Sequence, residues 1–507
     1  MDSFLITTLL PISVFLFLLL NKFRNFRSKP RLPLPPGPPG LPVIGNLHQL
    51  DTSNLPNYLW HLSKRYGPLM SLRLGNVQTL IVSSAEMAKE ILKTKDLIFC
   101  NRPVLTGQQK LSYNNKDIAF SPYNEYWREM RKTCTLHLFS MKQVNSFRPV
   151  REQEVFDMIE MITTRISKKN VVNLSDTLMT LMSNIISRVA FGKRLSDYDD
   201  EQQDAPRFNE VLFQCQSMFV NVFSRDHFPW MGWLDEVNGS IGRLEKVFKD
   251  MDEFYQELID EHENPNKQNN MHEDMIDILL KLKQESNCSI ELTYDHIKAV
   301  LMNILLGGTD TSATAVVWAM TLLMKNPKSL KKVQQEVRDA IGDKGKVHED
   351  DLYNLNYLKA VIKETLRLYP IAPLSIPHES RDRCVLNGYE IPKKTLVYVN
   401  VWAVGRDPTC WERPEVFEPE RFMGSSVDYK GTDFELIPFG SGRRGCPGMS
   451  LGAAMVEVAL ANLVYLFDWE LPQGTSEIDT LSTPGTVRRK KNDLQLVAKV
   501  YDHGCRS

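Results

Sequence analysis

No C-x-x-C pair occurs anywhere in this chain, which removes the usual zinc and iron–sulfur frameworks, since those sites want several protein ligands and commonly take paired cysteines. The eight cysteines stand at 100, 134, 215, 288, 384, 410, 446 and 505 with no repeating spacing. A disulfide scaffold would be dense and confined to a short secreted domain, so this usage points to a reduced compartment. A basic surplus is missing too: 61 Lys and Arg face 62 Asp and Glu, for a net charge of −1. Nothing is left over to neutralise nucleic-acid phosphates, and no nucleic-acid partner is expected. There is no internal repeat and no low-complexity tail. What remains is 507 residues, enough for two or three ordinary domains or one large helical enzyme fold.

The first residues carry an address. From Phe4 to Leu20 the chain is almost wholly apolar, and Lys22, Arg24, Arg27, Lys29 and Arg31 follow. A helix over that run rises roughly 25 Å, slightly less than the ~30 Å bilayer core, so it spans if its neighbours adjust. Basic residues on its C-terminal side place the rest of the chain in the cytosol. A cleaved signal peptide is the competing reading; it wants charge before the apolar run and small residues at a cleavage site, and neither is present. With a cytosolic body, the sequons at Asn173, Asn238 and Asn287 should stay bare.

Residues 32–42 hold six prolines and two glycines, which can form neither helix nor central strand and make a stiff extended spacer. The expected organisation is therefore an anchor and basic segment over 1–31, a proline-rich hinge over 32–42 and one catalytic body over 43–507. Within that body, Leu69 to Leu74 and Val77 to Val82 read as a small sheet. Helical periodicity dominates from about Ala85 to Lys325, with a polar surface loop over 264–272. The fold class is mainly α with minor β.

The most informative segment runs Phe439-Gly440-Ser441-Gly442-Arg443-Arg444-Gly445-Cys446-Pro447-Gly448. Glycines let the backbone approach a flat cofactor and adopt positive φ, so several N–H groups can converge on one sulfur. Neighbouring cations and a helix N-terminus should lower the thiol pKa and favour metal ligation. Val456, Leu460, Leu463 and Phe467 recur along one face of the helix expected next. One thiolate without a companion cysteine suits a haem iron. A buried structural cysteine in a turn explains the apolar neighbours but not two glycines and an arginine at those offsets.

The pattern F-x-x-G-x-R-x-C-x-G resembles the haem-binding loop of the cytochrome P450 family, and every fixed position is met. The resemblance extends over nearly the whole chain, to plant microsomal A-type members of the specialised-metabolism clan. It implies a triangular fold with haem b between two long helices, Cys446 as axial thiolate, and Phe439 and Gly448 beside the cofactor. It also implies electrons from NADPH through NADPH-cytochrome P450 reductase, O2 as oxidant, a hydrophobic small-molecule substrate, and an endoplasmic reticulum membrane location with a single pass through the lipid and a cytosolic catalytic domain.

Further segments fit the same family. Thr293 to Lys325 can form one helix of about 45 Å, N-capped by Thr293 and stopped before Pro327. Its middle, Gly307-Gly308-Thr309-Asp310-Thr311-Ser312, places two residues that each cost about 1 kcal/mol relative to alanine inside a helix. Local opening of the hydrogen-bond ladder would leave a groove for a small ligand or water. This resembles the oxygen-activation element of the family, in which Asp310 and Thr311 relay protons. Read alone, a mid-helix threonine more often bonds back to the i−4 carbonyl. Glu364 and Arg367, one helical turn apart, with Arg421 in a Pro-Glu-Arg-Phe segment, resemble the structural lock beneath the haem. Trp127 and Arg131 resemble the haem-clamping helix, with Arg444 and His378 also directed to propionates. By family position, Leu105, Thr106, Phe213, Met218, Leu306, Leu374 and Thr486 line the substrate pocket. All are small or apolar, and a terpenoid, alkaloid, coumarin or phenylpropanoid, or oxime fits equally. The alternatives are a haem-thiolate isomerase or dehydratase that needs no O2, and a non-catalytic haem-binding protein on the same fold.

Overall fold

The computed structural model describes residues 32–166, 171–194, 214–264, 273–285 and 290–502. The anchor segment, the Phe213 pocket position and the Asn287 sequon lie outside the described residues, as does the polar loop beyond Asn264. The rest is a helical body with small sheets on its flank.

The organising element is the helix Tyr294–Lys325. Its entry is closed by Thr293, whose backbone N–H donates to Nδ1 of His296 at 2.9 Å, and it stops at Asn326, ahead of Pro327. Its residues are apolar around most of its girth because neighbours cover most of it. One neighbour is Leu174–Phe191, started by Asn173, whose side chain accepts from the Asp176 N–H at 3.1 Å, and ended by Gly192 in the left-handed region. The other is Met449–Leu466, buried along Val456, Leu460 and Leu463. Both Tyr294–Lys325 and Met449–Leu466 are long and apolar enough to cross a membrane, but 72% and 61% of their most apolar windows are buried, so they are core helices. Phe467, expected on the face of the second helix, instead begins the strand Phe467–Glu470: β-sheet pairing with Gln495–Val500 takes over there, Phe467 opposite Val500.

The larger sheet pairs Leu69–Leu74 antiparallel to Val77–Val82, Leu69 opposite Val82, so the tight connection at Gly75 and Asn76 sets the register. Leu396–Val399 then adds in parallel, and His378–Glu379 closes the other edge. The proline run is tied to this sheet. Ser71 and Glu390 donate their N–H groups to the carbonyls of Pro36 and Pro33, both at 2.9 Å, and Gln49 reaches Pro39 at 2.8 Å. A Cβ on Gly37 would lie 1.9 Å from the Ser71 carbonyl oxygen, so only glycine permits this approach. Prolines offer acceptors without donors, and the body supplies the donors. From Leu32 onward the stiff spacer is therefore fastened to the body.

Candidate active site

The cysteine loop is built by backbone closure. The Cys446 N–H donates to the Phe439 carbonyl at 2.9 Å, while Gly440 and Gly442 take φ of 70° and 68°. At Gly442 a Cβ would meet the Leu92 carbonyl oxygen at 2.2 Å, which requires glycine both for its φ and for space. Gly448 leads into Met449–Leu466, and its N–H together with Arg131 favours the Cys446 thiolate. Burial nevertheless outweighs them and pushes the thiol pKa up, against the lowering expected from sequence. Cys446 is surrounded by protein and yet accessible, the combination expected of a side chain facing an internal cleft. Deprotonation then accompanies metal ligation, since a coordinating thiol is held as thiolate.

Around the loop the fold gathers cations. Arg131, on Glu125–His137, donates to the Gly445 carbonyl at 2.5 Å. Arg444 donates to the carbonyls of Cys100 and Ser121 at 2.8 and 2.7 Å, and its guanidinium lies 4.0 Å over the Trp127 ring. The Trp127 indole N–H donates to the Ile118 carbonyl at 2.9 Å, so what Trp127 presents to the cluster is its ring face. His378 is buried, its Nδ1 paired with the Phe99 carbonyl at 2.9 Å; burial first, and Arg102 next, push its pKa far down, so the ring is neutral. Arg102 was not singled out from sequence. It is 4% exposed and donates to the carbonyls of Ala119, Ile376 and Pro377.

Three guanidinium groups thus crowd one buried region. Burial, with like charge behind it, depresses the pKa of Arg102, and burial pushes that of Arg444 down to about 10. Arg444 Nη1 is buried without a partner. A buried cation cluster with an orphaned donor is costly unless anions complete it. Beside an accessible cysteine in a glycine loop, that donor set fits haem b, with two propionates as the anions and Cys446 as the axial thiolate.

Opposite the loop lies the middle of Tyr294–Lys325. The helix is continuous there, and the expected break in its ladder is absent: the Thr311 hydroxyl bonds back to the Gly307 carbonyl at 2.5 Å. The groove is made by glycine instead. Gly307 is exposed with open space where a Cβ would project, whereas at Gly308 a Cβ would meet Ile186 Cδ1 at 2.5 Å. One glycine opens the cleft and the next permits helix packing. Ser312 Oγ lies 3.7 Å from where a Gly452 Cβ would sit, so the two long helices touch just past Thr311 and Cys446. Asp310 is buried, and its carboxylate accepts from Arg489 Nε at 2.6 Å. Arg489 also donates to Gln216, a second functional candidate that sequence reading missed.

Elsewhere in the body, Glu364 is fully buried and accepts from Arg367 Nε and Nη2 at 2.6 and 2.8 Å, from Arg421 Nε at 3.0 Å and from the Glu418 N–H at 2.8 Å. Arg367 continues to the carbonyls of Gly405, Pro414 and Val416. The pocket positions are less uniform. Gly107, beside Leu105 and Thr106, lets the backbone reach Met218, whose carbonyl would be 2.5 Å from a Cβ there. The Thr106 hydroxyl and N–H are both held by Asp226, at 2.6 and 3.1 Å. Leu306 packs against the main core, Leu374 packs with Leu59, Met70 and Ile81 under the sheet, and Thr486 is exposed. Phe120 and Phe219, not singled out from sequence, stack with centroids 5.0 Å apart.

The cytochrome P450 family profile matches residues 35–497, and this chain belongs to that family. Over 471 residues it is 49% identical to 6,7,8-trihydroxycoumarin synthase and 50% identical to 5-OH-xanthotoxin synthase, both from Pastinaca sativa, covering 91% of this chain and 92% of each relative. It is 46% identical over 509 residues to Cytochrome P450 71B26 of Arabidopsis thaliana, 99% of this chain and 100% of that one. Among solved structures, a zebrafish cytochrome P450 with abiraterone aligns at a TM-score of 0.74 and 25% identity, over 88% of this chain and 99% of the other. The chain is accordingly a plant A-type P450 monooxygenase of specialised metabolism. It holds haem through Cys446, receives NADPH-derived electrons through a redox partner and acts with O2 on a small molecule.

Proposed function

We propose that this enzyme oxidises a planar, oxygenated aromatic of the coumarin type, with the Phe120–Phe219 stack offering an outer ring face to it. The observation that carries the reading is the pair of relatives near 50% identity, one named as a trihydroxycoumarin synthase and the other as a hydroxyxanthotoxin synthase. Aromatic stacking tolerates flat ring systems and adds about 0.5–1.5 kcal/mol beyond burial. Haem supplies oxygen activation when bound; the protein decides which carbon is presented and how protons arrive. In this reading Arg102, Arg131 and Arg444 hold the propionates, the ring of Trp127 supports the Arg444 guanidinium, and neutral His378 closes that wall. Gly307 leaves room for dioxygen, and Thr311 turns its hydroxyl from the Gly307 carbonyl toward the cleft to deliver a proton. Asp310 supplies the proton path, and its tie to Arg489 joins that path to the 214–220 helix. Glu364, Arg367 and Arg421 fix the segment below the cysteine loop. Of the described pocket positions, Leu105, Met218 and Leu306 shape the substrate space.

For location, we propose a single anchor over 1–31 in the endoplasmic reticulum membrane, the proline segment 32–42 as its stiff connection to the cytosolic catalytic domain 43–507, and NADPH-cytochrome P450 reductase as electron donor. Plant members of this family are typically membrane-bound. Exposed Leu32, Leu41 and Ile44 support it, as do exposed Trp230 and Trp233: residues beside them join the same edge, where the Asn76 N–H donates to the His227 carbonyl at 3.0 Å. The test is a panel of coumarins and furanocoumarins, set beside terpenoids, alkaloids and oximes, in reductase-containing membranes with and without NADPH. NADPH-dependent hydroxylation confined to the coumarin members is the expected outcome. Turnover of the other classes alone sinks the substrate assignment, and product formation without NADPH or O2 sinks its oxygenase chemistry.

A further inference from the structure

Asp117 is a fully buried carboxylate outside every assignment made above. Its Oδ2 accepts from the N–H groups of Ala119 and Phe120 at 3.0 and 2.9 Å and from Asn303 Nδ2 at 3.0 Å, while Oδ1 has no partner. Asn303, one turn before Gly307 on the long helix, returns the contact: its Oδ1 accepts from the Ile118 and Ala119 N–H groups at 3.0 and 3.2 Å. The loop held in this way is the one whose carbonyls receive the cation cluster. Ile118 accepts from Trp127, Ala119 from Arg102 and Ser121 from Arg444.

The N–H groups of residues 118–120 thus turn toward Asp117 and Asn303, and the carbonyls of 118, 119 and 121 turn toward the cations. Burial pushes the Asp117 pKa up, and the N–H groups of Phe120, Asn303 and Ala119 gathered on Oδ2 oppose that rise by favouring the anion. Asp117 acts electrostatically on both Arg102 and Arg444 in the direction that keeps them charged. With haem bound, the three guanidinium groups would be matched by two propionates and one further carboxylate.

We propose that Asp117, tied to the long helix by Asn303, is the positioning residue of the propionate site: it supplies the third negative charge and sets the loop that aims Arg102, Trp127 and Arg444. The proposal rests on the assignment of those cations to the propionates. It also links the haem edge to the oxygen-activating helix through one side-chain pair.

The experiment compares full-length wild type, Asp117→Asn and Asn303→Ala by two measurements, the ferric/ferrous midpoint potential and the rate of haem transfer to apomyoglobin. Asparagine keeps an acceptor in place but removes the charge. Losing a nearby anion destabilises the ferric state more than the ferrous, so Asp117→Asn shifts the potential to more positive values and releases haem several-fold faster. Asn303→Ala keeps the charge and breaks the tie, so it releases haem faster with the smaller shift of the two. An unshifted potential in Asp117→Asn overturns the charge role, and wild-type haem transfer in Asn303→Ala overturns the link. If Asp117→Asn does not accumulate as a haem protein, Asp117→Glu decides: recovery of haem supports the role of the charge, and equal failure overturns it. Arg444→Gln with undiminished haem retention would instead overturn the propionate assignment itself.

Discussion

The adjacent glycines 307 and 308 occupy one helix turn in opposite surroundings, which makes them a matched pair. Alanine at either position gains about 1 kcal/mol of helix propensity. At Gly307 no packing opposes the gain, because nothing beyond the helix's own backbone comes within 4 Å of the new Cβ. At Gly308 the Cβ would sit 2.5 Å from Ile186 Cδ1 and 2.9 Å from Cγ1, and overpacking of this kind costs about 1–3 kcal/mol. Gly307→Ala should therefore stabilise by about 1 kcal/mol, while Gly308→Ala should range from neutral to about 2 kcal/mol destabilised. Ile186→Val removes the Cδ1 methyl and alone costs about 0.5–1.5 kcal/mol. Combined with Gly308→Ala it removes the closer of the two contacts and leaves the one to Cγ1, so the double variant should be more stable than the sum by on the order of 1 kcal/mol at most. The assay is the half-life of the thiolate-type ferrous carbonyl band at a fixed elevated temperature, read with denaturant unfolding so that kinetic and equilibrium effects separate. Strict additivity of Gly308→Ala and Ile186→Val, or destabilisation by Gly307→Ala, would refute this account of the groove.

Cys446→Ala should abolish the ferrous carbonyl band of thiolate ligation in difference spectra; a persisting band means another residue holds the iron. Thr311→Ala should retain haem and raise the peroxide formed per NADPH consumed, and unchanged coupling removes Thr311 from the relay. Glu364→Ala leaves Arg367 and Arg421 buried without their anion and should cost roughly 3–5 kcal/mol, seen as loss of folded haem protein on expression; normal yield and wild-type thermal stability contradict the lock. Arg489→Gln should raise the uncoupled fraction of NADPH turnover and increase amide hydrogen exchange over 214–220, and wild-type values in both would remove Arg489 from the proton path.

Local features of this enzyme were legible because their spacing is short. Glu364 and Arg367 share a helix face three residues apart, the glycines bracket Cys446, and Thr293 and Pro327 mark the ends of the long helix. The unread parts depend on distant pairings. Asn303 meets Ile118 across 185 residues and Arg489 meets Asp310 across 179, and no periodicity brings such partners together. Arg102 looked like any surface arginine until its neighbours were in place. The misread parts have the same origin: the long helix kept its ladder where Gly308 packs against Ile186, Phe467 pairs with Val500 in a strand, and the Trp127 indole N–H is committed to the Ile118 carbonyl.

The crowding of Arg102, Arg131 and Arg444 has a consequence for the life of the polypeptide. Without the propionates, mutual repulsion opposes closure around that edge, and chains in that state should be looser and more readily cut by proteases. Enzyme abundance in the cell should therefore follow haem supply as well as transcription, and chains that miss their prosthetic group are removed rather than stored.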